Sequence, residues 1–175
     1  MFILYGIPVG IALGYLVGGR LEHLEELRFR VAWLAVAGLL VQLVLFSGVA
    51  DPVTGGGIGE AVYVGSTAAV LVAVLANVRV PGVLLVAIGA ISNLVAVVAN
   101  GGVMPTTVAA LEAAGLSPRD GFSNSAVLVN PSLAPLTDVY AVPAGIPLAN
   151  VFSVGDVLIG VGIVAVIAFG MRRHD

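Results

Sequence analysis

Two aspartates lie in apolar stretches of the chain, where an ionisable side chain is costly. Asp138 lies in the segment Leu136-Thr-Asp-Val-Tyr140, and Asp156 ends the segment Ser153-Val-Gly-Asp156. Two carboxyl groups held close together do not both ionise, and the carboxylate of such a pair can activate a water molecule for hydrolysis. Asp138 and Asp156 are therefore candidate catalytic residues.

The same residues also have a structural interpretation. Ser153 stands three residues before Asp156, ahead of an apolar run, which is the spacing of a capping box. In a capping box the Ser153 hydroxyl accepts a hydrogen bond from the Asp156 amide, and the Asp156 carboxylate complements the helix dipole. Asp138 follows Thr137 and fits an ordinary turn residue. Structural capping, ligand binding and catalysis all remain alternatives for the two aspartates.

Asparagines are expected close to Asp156. Asn93 and Asn100 are seven residues apart in an apolar helix and so share one face. That helix ends on the side of the molecule where the helix of Asp156 begins. We therefore predict a polar cluster of Asn93, Asn100, Ser153 and Asp156, which binds a ligand or has a structural role.

Composition excludes several kinds of chemistry. The chain has no cysteine, which rules out disulfides, thiolate zinc sites and cysteine nucleophiles. Its two histidines, His23 and His174, lie in charged flanking segments and do not form a metal-binding pattern. No basic stripe with interleaved aromatic residues suggests nucleic acid. We expect no metal, no cofactor and no nucleic-acid partner.

Hydropathy predicts that these residues lie in a membrane protein. Apolar residues make up 59% of the chain and charged residues 10%, whereas soluble domains have about 45–50% and about 25%. Five apolar segments are long enough to cross a hydrocarbon core of about 30 Å. The prediction is an all-α membrane protein, one domain over residues 1–175, with five transmembrane helices and an extracytoplasmic loop over 101–150. The predicted spans are 2–19, 31–50, 61–78, 82–99 and 151–170.

The arginines predict the orientation of these spans. The chain has no lysine, and six of its seven arginines fall on one side of the predicted bundle. By the positive-inside rule, the N-terminus is outside and the C-terminus is cytoplasmic in a bacterial plasma membrane. The first apolar segment lacks a preceding basic region, so we expect it to stay in the mature protein. The six arginines are Arg20, Arg28, Arg30, Arg79, Arg172 and Arg173, and only Arg119 lies on the opposite side.

Glycines recur every fourth residue in the first predicted span. Gly6, Gly10, Gly14 and Gly18 lie on one helix face, because residues four apart are neighbours on a helix. Such a face lets another backbone approach closely within a membrane. The pattern predicts either packing within the chain or a homo-oligomer or membrane partner that binds the glycine face. The bilayer itself is the other expected partner.

Two motifs together resemble a small family of bacterial multi-pass membrane proteins, a domain of unknown function. They are Asn100-Gly-Gly-Val-Met-Pro105 and Ser153-Val-Gly-Asp156, which opens the last span. The resemblance covers essentially the whole chain. It implies a multi-pass topology and implies no activity.

A more local resemblance is to the lipoprotein signal peptidases. Ser153-Val-Gly-Asp156 is similar to the Asn-x-Ala-Asp motif of their last helix, and Asp138 is similar in spacing to their other catalytic aspartate. The resemblance implies an aspartic dyad of Asp138 and Asp156 at the outer leaflet. The chain departs from the pattern at Ser153, where the peptidases have asparagine. It also lacks their Gly-Asn-x-x-Asp-Arg segment, since its only outer arginine is Arg119.

Three functions follow from these patterns. We expect a non-catalytic membrane component that binds a lipid, a small molecule or a partner at the outer Asn/Asp cluster, because no complete catalytic motif is present. An aspartic intramembrane peptidase using Asp138 and Asp156 is the alternative. A small oligomeric transporter comes third, because few charged residues lie within the predicted spans.

Overall fold

A computed structural model describes residues 2–55, 57–117 and 125–172 of the chain. It is mostly helical, with two small sheets. Arg119, Arg173 and His174 lie outside the described residues. The helices are α1 (Gly6–Leu16), α2 (Ala32–Leu45), α3 (Ile58–Leu75), α4 (Val83–Ala99), α5 (Val108–Ala113) and α6 (Val154–Gly170).

Each predicted span overlaps one apolar helix, but most of the helices are shorter than predicted. Among the described residues only α3, with 18 residues, is long and apolar enough to cross a membrane. The other four apolar helices have between 10 and 17 residues. Turns account for the difference, since Gly18 and Gly48 adopt positive φ angles of 79° and 82° just beyond α1 and α2. A residue in the left-handed conformation, with positive φ, ends an α-helix.

The prediction of an all-α fold is wrong for the segment 101–150, because two small sheets form there and at its end. In the first sheet β1 and β2 are parallel, and in the second β3 and β4 are antiparallel. Each strand has three residues, which is too short for a readable alternation of apolar and polar side chains. The strands are β1 (Met104–Thr106), β2 (Ser125–Val127), β3 (Tyr140–Val142) and β4 (Asn150–Phe152).

Helix α6 is the central helix of the bundle. It packs against α1 on one side and α4 on the other, α3 packs on α4, and α2 packs on α3. Glycines bring α4 and α6 to backbone contact, since a Cβ at Gly82 would lie 2.5 Å from the carbonyl oxygen of Gly162. Helices α2 and α1 thus lie at the two ends of this packing order, and α6 lies between α4 and α1.

The glycine face of α1 packs within the chain. A Cβ at Gly6 would lie 2.8 Å from the carbonyl oxygen of Gly160, and a Cβ at Gly10 would lie 2.9 Å from Cβ of Ile167. Gly14 packs in the same way against a side chain beyond the end of α6. The face predicted for close packing is therefore occupied by α6. A homo-oligomer or partner that used it would have to displace that helix.

Gly18 does not belong to this packing face, contrary to the sequence prediction. It is exposed, a Cβ there would meet no heavy atom within 4 Å, and its φ is 79°. The helix has already ended at Leu16, so the four-residue repeat no longer describes which side Gly18 faces. Gly19 is buried instead, and a Cβ there would lie 2.8 Å from the Met171 side chain.

The glycine face predicts a position-specific cost on α1. In Gly10→Leu the new side chain must enter space that Ile167 and Val164 occupy, and overpacking of this kind costs about 1–3 kcal/mol. Chemical unfolding of the purified protein measures this loss. Ala12→Leu is the matched control, because Ala12 is exposed on the same helix, and it should change stability by less than about 0.5 kcal/mol. Equal losses would contradict the packing of α1 on α6.

Candidate functional site

The amino end of α6 is closed by the predicted capping box, which the structure confirms. The Asp156 amide donates to Oγ of Ser153 over 3.0 Å, and the Ser153 amide donates to Oδ2 of Asp156 over 3.2 Å. Both bonds satisfy amide groups that a helix start leaves without partners. Ser153 has an exposed fraction of 0%, so this cap lies in the interior.

Asn93 of α4 joins the capping box to the neighbouring helix. Its Nδ2 donates to Oδ1 of Asp156 over 2.8 Å, and its Oδ1 accepts from the Ser153 hydroxyl over 2.8 Å. The Ser153 hydroxyl thus donates to one helix and accepts from the other. Both carboxyl oxygens of Asp156 also have donors. Asn93, Ser153 and Asp156 form a closed network, which we call the α4–α6 polar clasp.

Two glycines make the clasp possible. A Cβ at Gly155 would overlap the Asn93 side chain, and a Cβ at Gly89 would lie 2.8 Å from Cγ1 of Ile159. Without side chains at these positions, α4 and α6 approach closely enough for Asn93 to reach the cap. Sequence analysis did not identify Gly155 as part of the site, although it stands directly before Asp156.

Asn100, predicted as a fourth member of the cluster, has a different role. It follows the last residue of α4, and its Nδ2 donates to the carbonyl oxygens of Ala96 over 2.7 Å and Ser132 over 2.9 Å. Its Oδ1 accepts from the Ser132 amide over 2.8 Å. The prediction of one cluster is therefore wrong for Asn100. Its side chain ties a distant part of the 101–150 segment to the end of α4.

Asp138 is held against β1 by its backbone. Its amide donates to the carbonyl oxygen of Pro105 over 2.9 Å, and its carbonyl oxygen accepts from Oγ1 of Thr106 over 2.9 Å. Residues 134–136 just before it contact both α4 and α6. The 101–150 segment thus folds back and brings Asp138 to the end of the bundle where α6 begins.

The carboxyl group of Asp138 is unsatisfied. The residue has an exposed fraction of 8%, and its Oδ1 is buried with no hydrogen-bond partner among the described residues. Burial, and to a smaller extent the negative charge of Asp156, together raise the pKa of Asp138 from 3.8 to about 7. A carboxyl group with such a pKa exchanges its proton near neutral pH, which is a common property of functional sites.

The two aspartates therefore have different chemical capacities. Asp156 has a donor on each carboxyl oxygen and belongs to the clasp, whereas Asp138 offers a free acceptor. The two carboxyl groups interact through their charges, and no hydrogen bond joins them within the described part of the chain. The geometry gives Asp156 a structural role and leaves Asp138 as the group that can bind or transfer a proton.

Other polar side chains at this end do not extend the site into a metal centre. Oε2 of Glu60, in the first turn of α3, is also buried without a partner. Gly102 packs directly on this residue, since a Cβ there would lie 2.5 Å from Cβ of Glu60. Within residues 2–55, 57–117 and 125–172, no group of three His, Cys, Asp or Glu side chains is placed to hold a metal ion.

Comparison with known proteins identifies a family for this chain. A family model described as a family of unknown function (DUF5317) matches residues 26–168. No curated protein and no solved structure matches the chain. The match confirms the expectation of a domain of unknown function and adds no activity.

The raised pKa of Asp138 predicts a pH-dependent stability. Between pH 3.8 and about 7 the folded state holds a proton that the unfolded state has lost. Stability from this group is therefore complete below pH 3.8 and falls as pH rises to about 7, by up to about 4 kcal/mol. Asp138→Asn removes this titrating group. The free energy of unfolding of the variant should therefore rise relative to that of the wild type between pH 4 and pH 8, as measured by chemical unfolding.

The exposed aspartate Asp51 provides the control for this measurement. Asp51→Asn removes the same charge without removing a buried acid, so its stability should follow the wild type across the pH range. A constant difference between wild type and Asp138→Asn from pH 4 to pH 8 would show that Asp138 does not titrate differently in the folded state.

Proposed function

Because the chain belongs to the family of unknown function (DUF5317), we propose a function from its own geometry. The protein is a multi-pass membrane component with five spans. It binds a ligand or partner at its extracytoplasmic end through Asp138, without catalysis. The ligand class is a small molecule, lipid headgroup or peptide group that donates a hydrogen bond to a carboxyl oxygen.

The proposal of a membrane location rests on the distribution of side-chain size in the helices. The buried positions of the five apolar helices are mostly glycine, alanine and serine, whereas large apolar side chains point outward. Membrane helices pack through small residues in this way and expose large apolar ones to lipid, whereas soluble proteins rarely expose large contiguous apolar patches. The exposed side chains include Leu39, Leu40, Leu43, Val44, Leu84, Ile88, Ile91 and Val95.

Internal hydrogen bonds support the same proposal. Nε2 of Gln42 donates to Oγ1 of Thr67 over 3.1 Å, which joins α2 to α3. Nδ2 of Asn77 donates to the carbonyl oxygens of Ala73 and Arg30 over 2.7 Å and 2.8 Å. Polar groups in hydrocarbon are costly unless they find partners within the protein. These side chains and the clasp all have such partners.

Helix length is compatible with five spans if the bilayer adapts. Helices α4 and α6 have 17 residues each and reach about 26 Å at about 1.5 Å per residue. A span shorter than the local hydrocarbon thickness is accommodated by bilayer thinning or by flanking residues, at a modest cost per ångström. Helices α1, with 11 residues, and α2, with 14 residues, rely most on their flanking turns.

Side chains at the two ends support the proposed orientation. Aromatic rings gather where α6 begins, since Phe2 stacks on Phe152 at 4.3 Å and Tyr140 stacks on Phe152 at 5.6 Å. Of these side chains, tyrosine is a type that is enriched at membrane interfaces. At the other end the Arg20 amide donates to the carbonyl oxygen of Met171 over 2.7 Å, beside the last turn of α6. The arginine-bearing end is then cytoplasmic.

An aspartic peptidase is the second candidate, and one observation favours it. The charge of Asp156 contributes to the raised pKa of Asp138, as expected for two carboxyl groups that interact. Against it, both oxygens of Asp156 already accept hydrogen bonds from Asn93 and Ser153. A shared-proton dyad needs one of those oxygens for its partner or for water. Binding through Asp138 therefore fits the geometry better.

The proposed topology predicts a labelling pattern. The chain has no cysteine, so single cysteines can be introduced at Val49 and Val129 on the outer side and at Glu25 on the inner side. All three positions are exposed. In intact cells a membrane-impermeant thiol reagent should modify the first two variants and modify the third only after lysis. Modification of all three, or recovery of the protein in the soluble fraction, would contradict the proposal.

The role of Asp138 predicts a selective carboxyl reaction. A hydrophobic carbodiimide adds to a carboxyl group that carries a proton, and Asp138 carries one below about pH 7. Peptide mass spectrometry should find more modification of Asp138 at pH 6 than at pH 8.5, and little modification of Asp156 at either pH. Preferential modification of Asp156 would argue against Asp138 as the free carboxyl group.

The two candidate functions diverge in a cleavage assay with membrane-anchored peptides in proteoliposomes. For a binding component we expect no cleavage above that of the Asp138→Asn variant. For a peptidase, Asp138→Asn and Asp156→Asn should each abolish cleavage. Ser153→Ala removes the cap and the hydrogen bond to Asn93 but leaves both carboxyl groups in place, so it should retain cleavage. Cleavage with that pattern of loss would replace binding by catalysis as the function.

A further inference from the structure

A cavity of about 250 Å³ lies between α2, α3, α4 and α6. It lies at the end of the bundle where α3 ends and α4 begins, which is opposite the end that carries Asp138. Among the described residues that line it, Asn77, in the turn after α3, is the one with a polar side chain. The apolar lining includes Phe29, Ala35, Ala73, Val86 and Ile163.

The cavity exists because α2 packs on one helix only. It contacts α3 along its length and has no comparable contact with α4 or α6. The side chains that face the gap from α2 and α3 include Ala32, Ala35 and Ala73, which are too small to fill it. Pockets for drug-sized ligands have volumes of about 300–1,000 Å³. This smaller, apolar space instead suits a segment of one alkyl chain.

Positive charge flanks the cavity. The Arg30 amide donates to Oδ1 of Asn77 over 2.7 Å, and the Arg30 carbonyl oxygen accepts from Nδ2 of Asn77 over 2.8 Å. The backbone of Arg30 is therefore held beside the polar wall of the cavity, and Arg79 follows Asn77 by two residues in the chain. Both arginines are exposed, and neither forms an ion pair among the described residues.

An apolar cavity flanked by unpaired arginines matches the chemistry of one ligand class. We infer that the cavity binds an anionic phospholipid of the cytoplasmic leaflet, with an acyl chain between α2 and α6 and the phosphate at Arg30 and Arg79. Guanidinium groups bind phosphate through paired hydrogen bonds, and basic pockets between membrane helices on the cytoplasmic side bind anionic headgroups. This inference rests on the proposed membrane location.

Native mass spectrometry of the full chain in a non-ionic detergent tests the inference. Phosphatidylglycerol and phosphatidylcholine with identical acyl chains serve as probes, so that only the headgroup differs. We expect the anionic lipid to be retained about tenfold more strongly, since each nearby arginine favours an anionic headgroup severalfold. Equal retention of the two lipids would overturn the inference.

Matched variants separate the cavity from general surface charge. Arg30→Gln with Arg79→Gln should bring the two lipids to within about twofold, whereas Arg20→Gln with Arg172→Gln removes the same charge away from the cavity and should keep the preference. If both double variants lost the preference for phosphatidylglycerol over phosphatidylcholine equally, a specific site at the cavity would be contradicted.

A second pair of variants tests whether an acyl chain occupies the cavity. Ala35→Leu narrows the cavity and should weaken retention of phosphatidylglycerol severalfold, while Ala37→Leu places the same change on an exposed position of α2. Equal retention in these two variants would overturn the assignment of the chain to the cavity. Inorganic phosphate should not displace the lipid, and displacement would indicate a simple anion site. If cysteine labelling shows membrane insertion but the lipids bind equally, only this inference fails.

Discussion

The close approach of backbones around α6 is the constraint on which the rest of the structure depends. Glycines on α1 face one side of this helix. Gly82, directly before α4, and Gly89 of α4 face another side, at distances where a Cβ would collide. Large side chains are thereby excluded from the interior and point outward from the bundle. In a lipid environment such packing supplies van der Waals contact that apolar burial does not provide between helices. The central position of α6 follows from these glycines.

Close packing also determines what the polar residues can do. Since Gly155 has no side chain, Asn93 reaches the amino end of α6 and saturates both Ser153 and Asp156. Asp138 belongs to a different part of the chain, and its backbone is hydrogen-bonded to β1. Its carboxyl group has no hydrogen-bond donor among the described residues. One acidic group thus stabilises the junction of two helices, and the other retains free hydrogen-bonding capacity. The difference comes from the neighbours of each residue, since both residues are aspartates.

Short sequence patterns determined several structural features of this protein. The five apolar helices follow from hydropathy, because each run of apolar residues is longer than any plausible strand. The capping box at Ser153 and Asp156 follows from a three-residue spacing, and the packing of Gly6, Gly10 and Gly14 follows from a four-residue repeat. These features depend on residues within one or two helical turns of each other. Their geometry is therefore set by the helix itself.

Only the tertiary structure decided the features that depend on distant residues. Asn100 bonds to Ser132 rather than to the clasp because the intervening segment folds back across the end of α4. Gly19 replaces Gly18 in the packing face because a turn after Leu16 changes the direction of the chain. The three-residue strands, the burial of Asp138 and the cavity beside α2 likewise arise from long-range packing. No periodicity within a short window encodes them, because each depends on elements that are far apart in sequence.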